Sequence, residues 1–244
     1  MRVLPIGLAY WRNEEQARGY ARRSSATTHP NLVCLEACEV WTGAIARIMQ
    51  ASCTDDSASE RRRYTKLDLV QYFAGFPYTT RLHETLALLP GSPACPDAEE
   101  DREVHYREHS PILRLIDKTQ AEVQPKDGFR WPIPNEAELP SSGYVVHTLV
   151  AALYCFLATE TFEDGAVMAV NLGNDADTVG AVYAGLAGCW YAGPEDEAEA
   201  EGNHMFWSKR VKEWRETLVK RELVEEVAEE LAEFSGKQVI QGGW

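Results

Sequence analysis

Apolar residues return every three or four positions along most of this chain. Between Asn31 and about Ala51 they fall at Leu32, Leu35, Cys38, Trp41, Ala44, Ile45, Ile48 and Met49, the spacing of a helix with one buried stripe. Thr28-His29-Pro30 ahead of that run suits a helix entrance, where proline is tolerated in the first turn. "EEQARGYARR" before it, and "RRRYTKLDLVQYFAGF" and "TTRLHETLALL" after it, predict further amphipathic helices, the later two ended by Gly or Pro. "YVVHTLVAALYCFLAT" is apolar on most sides, as a central helix requires. "FEDGAVMAVNL" predicts a short helix, and the stretch from about Met205 to Phe234 a long final one.

Between these segments, residues 91–103 ("GSPACPDAEEDRE") read as a polar loop, and residues 122–142, with Pro125, Pro132, Pro134 and Pro140, as an extended connection. Period-2 alternation is not sustained anywhere, and no turn dipeptide joins two strand-like runs. "YVV" alone could open a short strand, but one strand makes no sheet. The chain is predicted to be all-α, a compact multi-helix bundle in a single domain spanning residues 1–244.

Composition narrows the function classes. The 244 residues carry a net charge of −14, which opposes the basic footprint that nucleic acid demands. Glu195-Asp196-Glu197-Ala198-Glu199-Ala200-Glu201 and "VEEVAEELAEF" concentrate that charge in blocks typical of solvated faces. The cysteines at 34, 38, 53, 95, 155 and 189 lack zinc-ligand spacing and read as free, buried thiols of a reducing compartment. No apolar run approaches the length of a membrane span, and "MRVLPIGLAYW" lacks the organisation of a secretion signal. A cytoplasmic protein is expected, without a membrane or nucleic-acid partner; the nucleus stays open.

One segment carries candidate chemistry. In "NLGNDADTVG" (171–180), Asp175 and Asp177 alternate and Thr178 follows, so two carboxylates and a hydroxyl meet at a helix entrance. Three such oxygens form one facet of a hard divalent cation's octahedron. Equally, Asp177 could simply cap the helix and complement its positive end. Gly180, Ala181, Ala184, Gly185, Ala187 and Gly188 then put small residues on adjoining faces, which suits a central helix approached closely by its neighbours.

"SSGYVVHTLVAALYCFLATETFEDGAVMAVNLGNDADTVGAVYAGLAGCWY" (141–191) resembles the carboxy-terminal signature of the ADP-ribosylglycohydrolase family. "MRVLPIGLAY" with "SATTHPNLVCLEACEVWTGAIARI" is similar to the middle of the same family, with divergent or inserted loops over residues 52–135. The resemblance implies an all-α orthogonal bundle, a binuclear Mg²⁺ or Mn²⁺ site, and hydrolysis of the bond joining ADP-ribose to a protein side chain or small molecule. It assigns Asp175, Asp177 and Thr178 to the metal, and His29, Gly143 and Tyr144 to the neighbourhood of bound ADP-ribose. His29 could equally satisfy a helix start, and Tyr144 could be core.

The resemblance begins at an interior position of the family pattern. Met1 stands at the methionine of a Gly-Asn-Gly-x-x-Met-Arg-type loop, so most of that loop, a Thr-Asp-Asp triplet and the acidic residue that activates water are expected upstream. Thr54-Asp55-Asp56-Ser57 looks like the triplet but follows the Met-Arg segment and runs into charged sequence. Three functions therefore stand together: an N-terminally truncated metal-dependent hydrolase, an ADP-ribose-binding pseudoenzyme, and a helical protein without a site. A bundle lacking its first segment would expose apolar surface and favour self-association.

Overall fold

The computed structural model describes residues 2–53, 64–125, 128–192 and 205–241. Twelve helices run through them: α1 (Leu4–Tyr10), α2 (Glu14–Ala26), α3 (Leu32–Ser52), α4 (Lys66–Gly75), α5 (His83–Leu86), α6 (Glu99–His109), α7 (Pro111–Glu122), α8 (Val145–Ala158), α9 (Phe162–Asn171), α10 (Ala176–Tyr191), α11 (Lys209–Glu216) and α12 (Arg221–Gln241). No strand occurs among the described residues, and none of their helices is long and apolar enough to cross a membrane.

The predicted central helices are central. α3 lies along α2 and touches α1, α8 and α10, while α10 packs against α8 and α9. Ala44, Ile45 and Ile48 of α3 meet Leu149, Ala152, Leu153 and Phe156 of α8 and Val179, Tyr183 and Leu186 of α10 in one apolar cluster, and Ala46 is buried too. The small residues of α10 act at selected positions. A Cβ on Gly185 would sit 3.0 Å from the Trp41 ring, so α3 and α10 touch closely there, whereas Gly180 and Gly188 face open space.

Other elements depart from the sequence reading. "YVV" is no strand: Tyr144 is the residue before α8 and Val145 its first. α3 starts after Asn31, whose side chain accepts from the Val33 N–H at 3.0 Å, so Pro30 precedes the cap and does not occupy the first turn. "TTRLHETLALL" yields a single helical turn. The loop expected over 91–103 gives way to α6 from Glu99, and α7 opens on Pro111. The final helix is two: Lys220 adopts a φ of 58° between α11 and α12. Thr54-Asp55-Asp56-Ser57 and the acidic block at 195–201 lie outside the described residues.

Candidate active-site cleft

The loop before α10 turns on two residues with positive φ, Gly173 at 80° and Asn174 at 50°. Glycine takes that region without strain, and Asn is among the few side chains that tolerate it. Asn174 is also anchored by its side chain, which donates to Glu136 Oε1 at 2.7 Å. The turn delivers Asp175 to the N-cap position of α10. Its side chain makes no capping bond there; instead its Oδ1 accepts the Thr178 hydroxyl at 2.9 Å.

A second loop, residues 141–144, is stitched to the first. The Asp175 N–H donates to the Ser141 carbonyl at 3.1 Å. The Ser141 hydroxyl lies 3.3 Å from the carbonyls of both Leu172 and Gly173, and its side chain is buried. Gly143 then passes so near Asp175 that a Cβ would lie 2.6 Å from Oδ2. Beyond it, Ser142 Oγ hydrogen-bonds His147 Nδ1 at 2.8 Å, and the Tyr144 ring stands edge-on to His147 at 5.0 Å. Tyr144 is 41% exposed, so it is a rim residue and not core.

These loops form one side of a cleft of about 510 Å³. The opposite side comes from the start of the chain and from α2 and α3. Arg2 donates to Thr28 Oγ1 at 2.5 Å, and Thr28 Oγ1 lies 2.9 Å from His29 Nδ1, a relay at the cleft mouth. Trp41, Val145, Leu149 and Val182 make the apolar floor. The Trp41 indole N–H is buried with no acceptor among the described residues.

Of the six residues singled out in the sequence, His29, Gly143, Tyr144, Asp175 and Thr178 line this one cleft; Asp177 does not, and is exposed on the first turn of α10. The donor set bears on a metal. Asp175, Asp177 and Thr178 offer oxygen only, the chemistry that hard divalent cations prefer, but Asp177 lies outside the cleft lining. Among the described residues no group of three or more His, Cys, Asp or Glu side chains gathers that could hold a metal. Sequence reasoning missed Trp41, Ser25, Cys34 and Thr148 as cleft residues. Arg2 alone had a signal, through its place in the Met-Arg segment.

The chain is similar to the ADP-ribosylarginine hydrolase Tri1 of Serratia proteamaculans (strain 568), 36% identical over 94 residues that cover 38% of this chain and 22% of that protein. It is 43% identical over 51 residues to the ADP-ribosyl-[dinitrogen reductase] glycohydrolase of Rhodospirillum rubrum, covering 21% of this chain and 17% of that one. A solved "ADP-ribosylglycohydrolase-related protein complex" superposes with a TM-score of 0.53 at 28% identity, over 94% of this chain and 57% of its counterpart. The matches thus span about a fifth of the curated relatives and little more than half of the solved chain. The ADP-ribosylglycohydrolase family model itself runs through residues 1–239, taking in both stitched loops and the wall that faces them, and the chain belongs to that family.

Proposed function

We propose that the cleft binds ADP-ribose and that the chain serves hydrolysis of the bond between ADP-ribose and a protein side chain. The observation that carries this reading is the joining of the 141–144 loop to the Asp175–Thr178 turn through Ser141 and Asp175, opposite Arg2 and His29. The diphosphate of ADP-ribose is anionic, and a chain of net charge −14 must offset it locally. Arg2 at the mouth supplies a guanidinium suited to phosphate oxygens. The apolar floor at Trp41, Leu149 and Val182 suits a flat ring.

A Mg²⁺ or Mn²⁺ ion would be held by Asp175, Asp177 and Thr178, and when bound would supply positive charge to the sugar or its attacking water. The protein's own part is to fix Asp175 by the Ser141 and Thr178 bonds and to leave room for it at Gly143. Binding without turnover is the second reading. Asp175 is the only carboxylate lining the cleft among the described residues, and one of its oxygens is already engaged by Thr178. The six free cysteines suit a reducing, cytoplasmic setting for either reading.

Calorimetry with ADP-ribose, with and without Mn²⁺, tests the binding; release of ADP-ribose from a protein ADP-ribosylated on arginine tests the hydrolysis. Metal-dependent release supports the first reading, and binding without release the second. Absence of ADP-ribose binding in the presence of Mn²⁺ would sink both.

A further inference from the structure

All six cysteines are free, but they occupy different settings. Cys155 is fully buried in α8, Cys189 is half-buried on α10, and Cys53 and Cys95 are exposed. Cys34 and Cys38 differ from these four. Both are half-buried, both lie on α3 one turn apart, and both line the cleft that contains Asp175, Thr178 and Tyr144.

Residues four apart on a helix stack on one face, with Cβ atoms about 5–6 Å from each other. Rotation about the two Cα–Cβ bonds closes that span to the bite of a single large, soft atom. Ser25 lies alongside, buried and also lining the cleft, with its hydroxyl against Cys38. The pair therefore faces a cavity with room for a ligand, next to a polar group that can steady a sulfur.

We propose that Cys34 and Cys38 form a dithiol site in the cleft wall. It takes one thiophilic ligand able to bond two sulfurs, of the class of trivalent arsenicals and soft divalent cations, and the occupied site excludes ADP-ribose. With an arsenical R–As=O, two As–S bonds form while two S–H bonds and the As=O bond break. The oxygen and both protons leave as water, and no electrons change hands. A soft cation binds by displacing the same two protons. Since both sulfurs stand on one helix, bridging them ties no two elements together; the effect comes from volume added inside the cleft. That exclusion rests on the ADP-ribose reading above, whereas the dithiol site does not.

The probe is phenylarsine oxide, added to the full chain in the presence of excess monothiol and read by intact mass. One adduct per chain is expected, retained when Cys53 and Cys95 are both replaced by serine. Cys34→Ser and Cys38→Ser should each weaken it about a hundredfold, the effective-concentration advantage of a second bond. An adduct that persists in either single variant, or none in the unaltered chain, overturns the site. ADP-ribose affinity of the loaded chain should fall at least about tenfold, and an unchanged affinity overturns the exclusion. If the untreated chain binds no ADP-ribose, the ligand reading of the cleft and the exclusion fall together, and the adduct mass still decides the dithiol site.

Discussion

Gly143 leaves the space that the Asp175 carboxylate occupies: a Cβ at residue 143 would lie 2.6 Å from Asp175 Oδ2. The backbone of Gly143 is not in the left-handed region that Gly91, Gly128 and Gly173 adopt, so contact alone demands glycine there. Gly143→Ala is expected to push Asp175 off its turn. The Ser141 carbonyl bond holds the backbone of Asp175, so the displacement falls on the side chain. The expected outcome is at least about a tenfold loss of Mn²⁺ or ADP-ribose affinity by calorimetry, since misplaced supports of a ligand set have that effect. Stability should drop by about 1–3 kcal/mol in urea, the usual result of overpacking. Unaltered affinity would mean that Asp175 is not a ligand.

Asp175 and Asp177 can be separated by substitution. Asp175→Asn removes a charge inside the cleft and weakens the partner of the Thr178 hydroxyl. Asp177 is exposed and outside the cleft lining, at the positive end of α10. A residue that only complements the helix end contributes about 0.3–1 kcal/mol. Under the proposed function Asp177→Asn also abolishes Mn²⁺ binding, while the melting temperature moves little. Mn²⁺ binding measured by electron paramagnetic resonance that survives Asp177→Asn and fails in Asp175→Asn would reduce Asp177 to a helix-end charge.

The legible parts of this protein are those where period and punctuation agree. The run from Asn31 to Ala51 became Leu32–Ser52, and the apolar "YVVHTLVAALYCFLAT" became the buried α8. α6 was missed because "EEDREVHYREH" has no apolar stripe: among its described side chains only His105 and Tyr106 are buried. The break between α11 and α12 falls in "RETLVKREL", which holds neither Gly nor Pro. It is made by Lys220 in a left-handed conformation and by the Thr217 N–H folding back onto Glu213 and Trp214. Asp175, Thr178, Gly143 and Tyr144 were readable as a local motif. Trp41 and Cys34 were not, because their place in the cleft depends on α3 packing against α8 and α10, more than a hundred residues away.

Glu36, 4% exposed on α3, holds the loop at Thr79–Thr80. Its Oε1 accepts from the Thr79 N–H at 2.6 Å and hydroxyl at 2.8 Å; its Oε2 accepts from the Thr80 N–H at 3.2 Å and from the Thr80 hydroxyl. Burial by itself would raise this carboxyl, but the bonds from Thr80 and Thr79 outweigh it and hold the group below the usual range. A depressed folded value means the unfolded chain takes up the proton first. The stabilisation is therefore complete above the unfolded value of about 4.3 and is lost as pH falls through the folded one. Glu36→Gln turns one acceptor into a donor facing donors, and should cost about 2–4 kcal/mol at pH 7. Urea midpoints between pH 6 and 3 should show a shallower acid loss in Glu36→Gln than in the unaltered chain.

Lys66 makes the opposite test at high pH. Its ammonium, at the start of α4, donates to the Phe156 carbonyl at 2.9 Å and to the Thr159 carbonyl, and lies 4.8 Å from the centre of the Phe156 ring. Burial pushes it down to about 8, with Glu160 pulling part of the way back. Between pH 8 and the unfolded value of about 10.4, the unfolded chain keeps a proton that the folded one has released, so the contribution of Lys66 to stability rises with pH across that window. Allowing for solvent screening, the gain should be about 1–2 kcal/mol. Thiols oppose it: burial raises Cys38, Cys155 and Cys189, so the cysteines of the unfolded chain ionise first from about pH 8.5. Burial pushes Tyr64 and Tyr154 up to about 12, so the tyrosines of the unfolded chain ionise first. Lys66→Met keeps the apolar stem and removes the titration. The Thr159 carbonyl still receives the Tyr191 hydroxyl at 3.2 Å, so the variant should lose only about 1–2 kcal/mol at pH 7. Urea midpoints at pH 7.5, 8.5 and 9.5 should rise in the unaltered chain relative to those of Lys66→Met; a constant difference between the two would assign the effect to another group.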